Sequence, residues 1–263
     1  ADIESVRAGL GKPNAAAPAG FGLKPDELTD EKLDELAARV ESAYKNLKIT
    51  LSLEESANDC DYYIESMAEI PEDKHVFYRN LNEVLEDKTI VMTNSSTLLP
   101  STFKVDFTKP ERSLALHFAN NIWRSNSAEV MGHDGTSQAA YDKAVEFAKA
   151  LHMVPIKVLK EQPGYLLNSM LVPFLNSAQY LLANGIGDHE NIDMAWKIGT
   201  GAPYGPFQIL DIVGLTTAYN IVANHPEAND PTTNAGKIAA MLKKYIDAGK
   251  TGVNAGEGFY KYR

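Results

Sequence analysis

Short apolar runs alternate with helical stretches as far as residue 159, and beyond Gly164 the alternation stops. That switch constrains the fold more than any other feature. Alternating strands and helices build an α/β sheet, whereas an uninterrupted series of helices must bury its apolar faces against one another. Before the switch, TDEKLDELAARVESAYKNL (29–47) reads as a helix, with a threonine cap, acids in its first turn and apolar residues at helical spacing. Strands are expected at 48–53, 60–66, 88–97, 112–119 and 153–159, and further helices at 71–86 and 136–151. The sequence therefore predicts an α/β domain over 1–161 and an α-helical domain over 162–263, divided near Glu161–Pro163.

Charge and composition narrow the function. With 35 acidic against 25 basic residues the net charge is −10, which argues against nucleic-acid or anionic-membrane partners. The longest apolar stretch, 164–185, is interrupted by Asn168, Pro173, Asn176 and Gln179 and reads as a buried helix, not a membrane span. The opening ADIESVRAGLGKP has no apolar core of a secretory signal. One cysteine, Cys60, gives no disulfide framework and fits a reducing compartment, so a cytoplasmic protein is expected. Residues 1–24, rich in Ala, Gly and Pro, read as loop. Their glycine strings, GLGKPN and GFGLKP, follow no strand and lack a third glycine, so neither reads as a dinucleotide fingerprint.

Ligands of open α/β sheets bind beyond the carboxyl ends of the strands, which makes the polar residues there the candidates for chemistry. Asn94, Ser95, Ser96 and Thr97 end one strand, and His117, Asn120 and Asn121 end the next. Within 112–119 the strand period puts Leu114, Leu116 and Phe118 on one face and Ala115 and His117 on the other. A neutral imidazole at His117 could take a proton from a substrate hydroxyl, with Glu129 as the carboxylate that fixes its tautomer; a satisfied core histidine is the plainer alternative. Asn168, an amide on an apolar helix, needs a partner. His117, Glu129, His133 and Asp134 carry no tight ligand spacing, so no metal is expected. A serine hydrolase on Ser96 lacks the GxSxG elbow.

Together TNSSTL, LALHFANN, the glutamate of SAEVM, QPGYLLNSMLVPFL, GTGAPYGPFQILDIVGL and GEGFYKY resemble the short-chain L-3-hydroxyacyl-CoA dehydrogenases, including the 3-hydroxybutyryl-CoA dehydrogenases, from about residue 33 to the carboxyl terminus. The resemblance implies a Rossmann-type α/β domain followed by an all-α dimerisation domain. It implies NAD as cofactor, an acyl-CoA substrate of fatty-acid metabolism, oxidation to the 3-ketoacyl-CoA, and a homodimer. It also makes His117 the general base and Glu129 the acid that orients it. Ser96 and Asn168 would hold the substrate oxygen and help place the nicotinamide. Glu69 and Asn120 would contact the cofactor, and Lys74 coenzyme A or the cofactor. The family's opening strand, GxGxxG loop and second strand have no counterpart here, so the Rossmann-type domain is expected to be incomplete at its start. Two alternatives follow: a non-catalytic acyl-CoA-binding or interaction homologue that has lost its dinucleotide loop, and a hydratase or hydrolase that uses the same cleft without NAD.

Overall fold

The computed structural model describes residues 29–120, 122 and 125–262, so the loop reading of 1–24 and the place of Asn121 lie outside the described residues. The chain divides into two compact units, Ala1–Leu166 and Leu167–Arg263.

The first unit is built on strands β1 (Tyr62–Glu65), β2 (Ile90–Thr93), β3 (Ser113–Phe118), β4 (Ser127–Met131) and β5 (Val154–Val158). They lie in sequence order, with β1, β2 and β3 parallel, β4 antiparallel to β3, and β5 parallel to β4. Around them run α1 (Asp30–Asn46), α2 (Leu53–Ala57), α3 (Pro71–Val84), α4 (Pro100–Phe103) and α5 (Gln138–Ala150). Thr29 caps α1 by accepting from the Lys32 N–H, and Ser137 caps α5 by accepting from the Ala140 N–H.

One face of the sheet is apolar. Ile90, Met92, Leu114, Leu116, Ala128 and Val130 bury themselves against Ala140, Ala144, Val145 and Ala148 of α5. The opposite face packs Val91 against Tyr78, Leu81 and Phe103. Strand register puts Glu65, Thr93, Ala115, His117 and Glu129 on that second face. The split within β3 is the one the sequence period predicts.

Two features depart from the sequence reading. KITLSL (48–53) forms no strand: Ile49 and Leu51 are 90% and 106% exposed, and Ser52 accepts from the Glu55 N–H to start α2. A capping serine followed by two acids, with no strand alongside among the described residues, outweighs the β-branched run. Conversely, SAEVM becomes β4, a strand the pattern hides by setting a charged Glu129 in its centre.

The second unit is helical: α6 (Leu167–Ala183), α7 (His189–Thr200), α8 (Pro206–Val213), α9 (Leu215–Ala223) and α10 (Asn234–Asp247). Its core joins Leu175 and Ala178 to Phe207, Leu210, Leu215, Ile238 and Leu242. Two buried carboxylates knit it. Asp193 accepts from the Phe207 and Gln208 N–H groups at the start of α8, and Asp211 accepts from the N–H groups of Phe259 and Tyr260 and from the Tyr262 hydroxyl. The GEGFY motif is therefore structural at its glycine: a Cβ on Gly258 would lie 2.0 Å from Asp211 Oδ1. Gly258→Ala should cost about 1–3 kcal/mol through overpacking, read as a lower denaturant midpoint at unchanged slope. Among the described residues no helix is long and apolar enough to cross a membrane.

Candidate active site

The antiparallel pairing of β3 with β4 sets His117 directly opposite Glu129. Cross-strand neighbours of this kind share a face with their Cβ atoms about 5 Å apart, within reach of a side-chain hydrogen bond. His117 Nδ1 lies 3.1 Å from Glu129 Oε2, and the two residues are 6% and 3% exposed. An ionised carboxylate only accepts, so Nδ1 carries the proton and Nε2 keeps its lone pair in the neutral ring. That lone pair faces Ser96, whose Oγ is 3.1 Å away. The other oxygen of Glu129 accepts from the Leu166 N–H at 2.9 Å.

Ser96 owes its position to a braced loop. Asn94 Oδ1 accepts from the Phe118 N–H, tying the end of β2 to the end of β3. Glu69, in the connection from β1 to α3, accepts from Ser95 Oγ at 2.6 Å, from the Ser96 N–H at 3.1 Å and from Thr97 Oγ1 at 3.0 Å. One carboxylate thus fixes three successive residues.

Behind the histidine stands a residue that the sequence reading passed over. The Tyr165 ring stacks on the His117 ring with centroids 4.4 Å apart and planes 10° from parallel. Its hydroxyl donates to the Ser95 carbonyl at 2.8 Å. Burial, with the carboxylates of Glu129, Glu69 and Glu65 nearby, pushes the phenol's pKa up and keeps it a neutral donor. Its only sequence signal is an aromatic residue directly after Gly164.

Ser96, His117, Glu129 and Glu69 come together in the first unit. Asn120 lies exposed two residues beyond β3, and Asn168 is a half-buried residue in the first turn of α6, in the second unit. Lys74 corrects an expectation: its side chain is 0% exposed and its Nζ sits 2.6 Å from Glu65 Oε1, so it braces α3 against β1 instead of lying open to coenzyme A or a cofactor. Glu65 also accepts from the Tyr78 and Thr93 hydroxyls and from the Met67 N–H. Burial alone would raise the pKa of Glu65, but these donors outweigh it and hold the carboxyl below its usual range.

Comparison with known proteins gives the family. Residues 24–162 match the NAD-binding domain of 3-hydroxyacyl-CoA dehydrogenase, and residues 164–262 match its C-terminal domain. The mitochondrial hydroxyacyl-coenzyme A dehydrogenase of Homo sapiens is 32% identical over 238 residues, 90% of this chain and 72% of that protein. A solved diketoreductase, described as catalysing dual reactions of dicarbonyl compounds, is 44% identical with a TM-score of 0.80, covering 88% of this chain and 84% of its own. The (S)-3-hydroxybutyryl-CoA dehydrogenase of Ralstonia eutropha is 25% identical with a TM-score of 0.70, over 90% of this chain and 80% of its own. With both domains of the family matched in order, the chain belongs to the 3-hydroxyacyl-CoA dehydrogenases.

Proposed function

We propose that this chain oxidises a short L-3-hydroxyacyl-CoA to the 3-ketoacyl-CoA, with His117 as general base. The observation that carries this reading is the His117 ring held between Glu129 at Nδ1 and Ser96 at Nε2, both at 3.1 Å. A hydroxyl oxygen entering beside Ser96 Oγ meets the lone pair of Nε2 and surrenders its proton there. Glu129 stabilises the imidazolium that results, as a buried carboxylate does best when the charge appears beside it. Ser96 donates to the same oxygen as it becomes a carbonyl.

A bound NAD would supply the hydride acceptor. The hydroxyls of Ser96 and Thr97, with the exposed Asn120 amide, offer the donors and acceptors that a nicotinamide carboxamide and its ribose require. Glu69 acts there by shaping the loop. The pyrophosphate end is another matter, because no glycine occurs between Leu23 and Met131. No described strand-to-helix turn of the first unit up to Met131 therefore gives phosphate the close backbone approach of a glycine loop.

The test is loss of NADH absorbance when purified protein meets acetoacetyl-CoA, run beside a 3-keto ester that lacks coenzyme A. Turnover of the thioester supports the reading. Turnover of the free ester alone favours a reductase of dicarbonyl compounds, the reading suggested by the 44% identity to the diketoreductase. A folded sample inactive on both favours the non-catalytic homologue. The exposed apolar side chains of the helical unit, Met170, Met194 and Ile198 among them, suit a homodimer interface. The single free Cys60 suits a cytoplasmic setting.

A further inference from the structure

The geometry points to Tyr165 as a positioning residue that holds the His117 ring in its working plane and ties that plane to Ser96. This rests on His117 being the proton acceptor. Three observations meet at the residue. Its ring covers one face of the imidazole at 4.4 Å and 10°. Its hydroxyl holds the carbonyl of Ser95, the residue next to Ser96. Its backbone sits at φ 54°, after Gly164 at φ 80°, a left-handed pair that L-residues other than glycine rarely enter. Such a conformation persists only where its surroundings hold it, and here it delivers an aromatic ring that is 1% exposed onto the histidine.

Why the stack is needed follows from the torsions. The second side-chain torsion of histidine is broad, so the angle of the ring about Cβ–Cγ depends on the hydrogen bonds at its two nitrogens and on what packs against its faces. One of those bonds, to Ser96, must also loosen when a substrate oxygen takes its place. The stack is independent of both bonds and keeps Nε2 aimed while the partner changes. The phenol face also stabilises the imidazolium once the proton has moved. A single side chain thus sets the base and, through Ser95, the hydroxyl beside it.

The experiment pairs Tyr165→Phe, which keeps the ring, with Tyr165→Leu, which removes it. For acetoacetyl-CoA and NADH, Tyr165→Leu should lower kcat about 10- to 100-fold with KM within about threefold, as small misplacements of a reacting group do. Tyr165→Phe should restore kcat to within about threefold of the parent. In a His117→Gln background, Tyr165→Leu should cost no more than about threefold, because only the tie through Ser95 to Ser96 is left to lose. An equal loss in both backgrounds, or a Tyr165→Leu kcat within threefold of the parent, overturns the proposal. A second measurement needs no variant: the carbon-bound ring protons of His117 in the cofactor-free protein should resonate upfield, shifted by the stacked phenol, and unshifted resonances overturn the proposal. Undiminished turnover by His117→Gln removes the reading on which it rests. Loss in His117→Gln without loss in Tyr165→Leu overturns the role of Tyr165 alone.

Discussion

His117→Gln should lower kcat for acetoacetyl-CoA and NADH by roughly 10²–10⁴, the usual contribution of a positioned general acid or base. Glutamine fills a similar volume and keeps polar atoms near Ser96 and Glu129, so the fold should survive and the melting temperature should change little. What it cannot do is exchange a proton with a substrate oxygen near neutral pH. In the reductive direction the lost step is protonation of the forming alkoxide by the imidazolium, the reverse of the proton removal assigned to Nε2. Because the defect lies in the chemical step, KM should move far less than kcat. A variant within tenfold of the parent would leave His117 as a satisfied core histidine, and steady-state kinetics on both proteins decides between the two.

The second large effect concerns stability. Lys74→Met should destabilise the first unit by about 3–5 kcal/mol, because removing one partner of a buried ion pair leaves the other charged and unsolvated. For a unit of this size that is roughly 6–20 °C in melting temperature. Tyr78, Thr93 and the Met67 N–H would still donate to Glu65, but none is positively charged. The pH dependence has a definite sign. The folded pKa of Glu65 is lowered, so its contribution to stability is complete above the unfolded carboxylate value of about 4.3 and is lost as pH falls through the folded value. Without Lys74 the folded pKa rises and the acid transition moves to higher pH. Thermal melts of parent and variant from pH 3 to 7 give both quantities, and a variant that melts with the parent at pH 7 refutes the argument.

Much of this was legible in the chain. The alternation before Gly164 predicts β1, β2, β3 and β5, and the two-residue period of β3 puts His117 on the face away from Leu114 and Leu116. Helical stretches with a polar cap, such as Thr29 before α1, show almost their full length. Hidden from view were the features fixed by long-range pairing. β4 is masked by its central Glu129, and no local pattern tells that it runs antiparallel to β3. Lys74 looks like a solvated charge in the first turns of a helix until Glu65, nine residues earlier, is seen to bury it. Tyr165 reads as part of an apolar helix, but it turns back onto the sheet, and the division between the units accordingly falls after Leu166. The strand expected at 48–53 fails for the opposite reason: the local pattern is present and the neighbour is not.

Placing His117 and Glu129, the proposed acid–base pair, on facing residues of β3 and β4 has a consequence for how such a protein can change. The spacing of His117 from Glu129 is inherited from the ladder of main-chain bonds, and the loops around it do not set it. Loops that carry neither Ser96 nor the residues bracing it are then open to replacement, insertion or exchange between homologues, while the His117–Glu129 pair is passed on intact. The vulnerability is the converse. A single inserted residue within either strand would turn one partner to the opposite face and abolish the pair at a stroke.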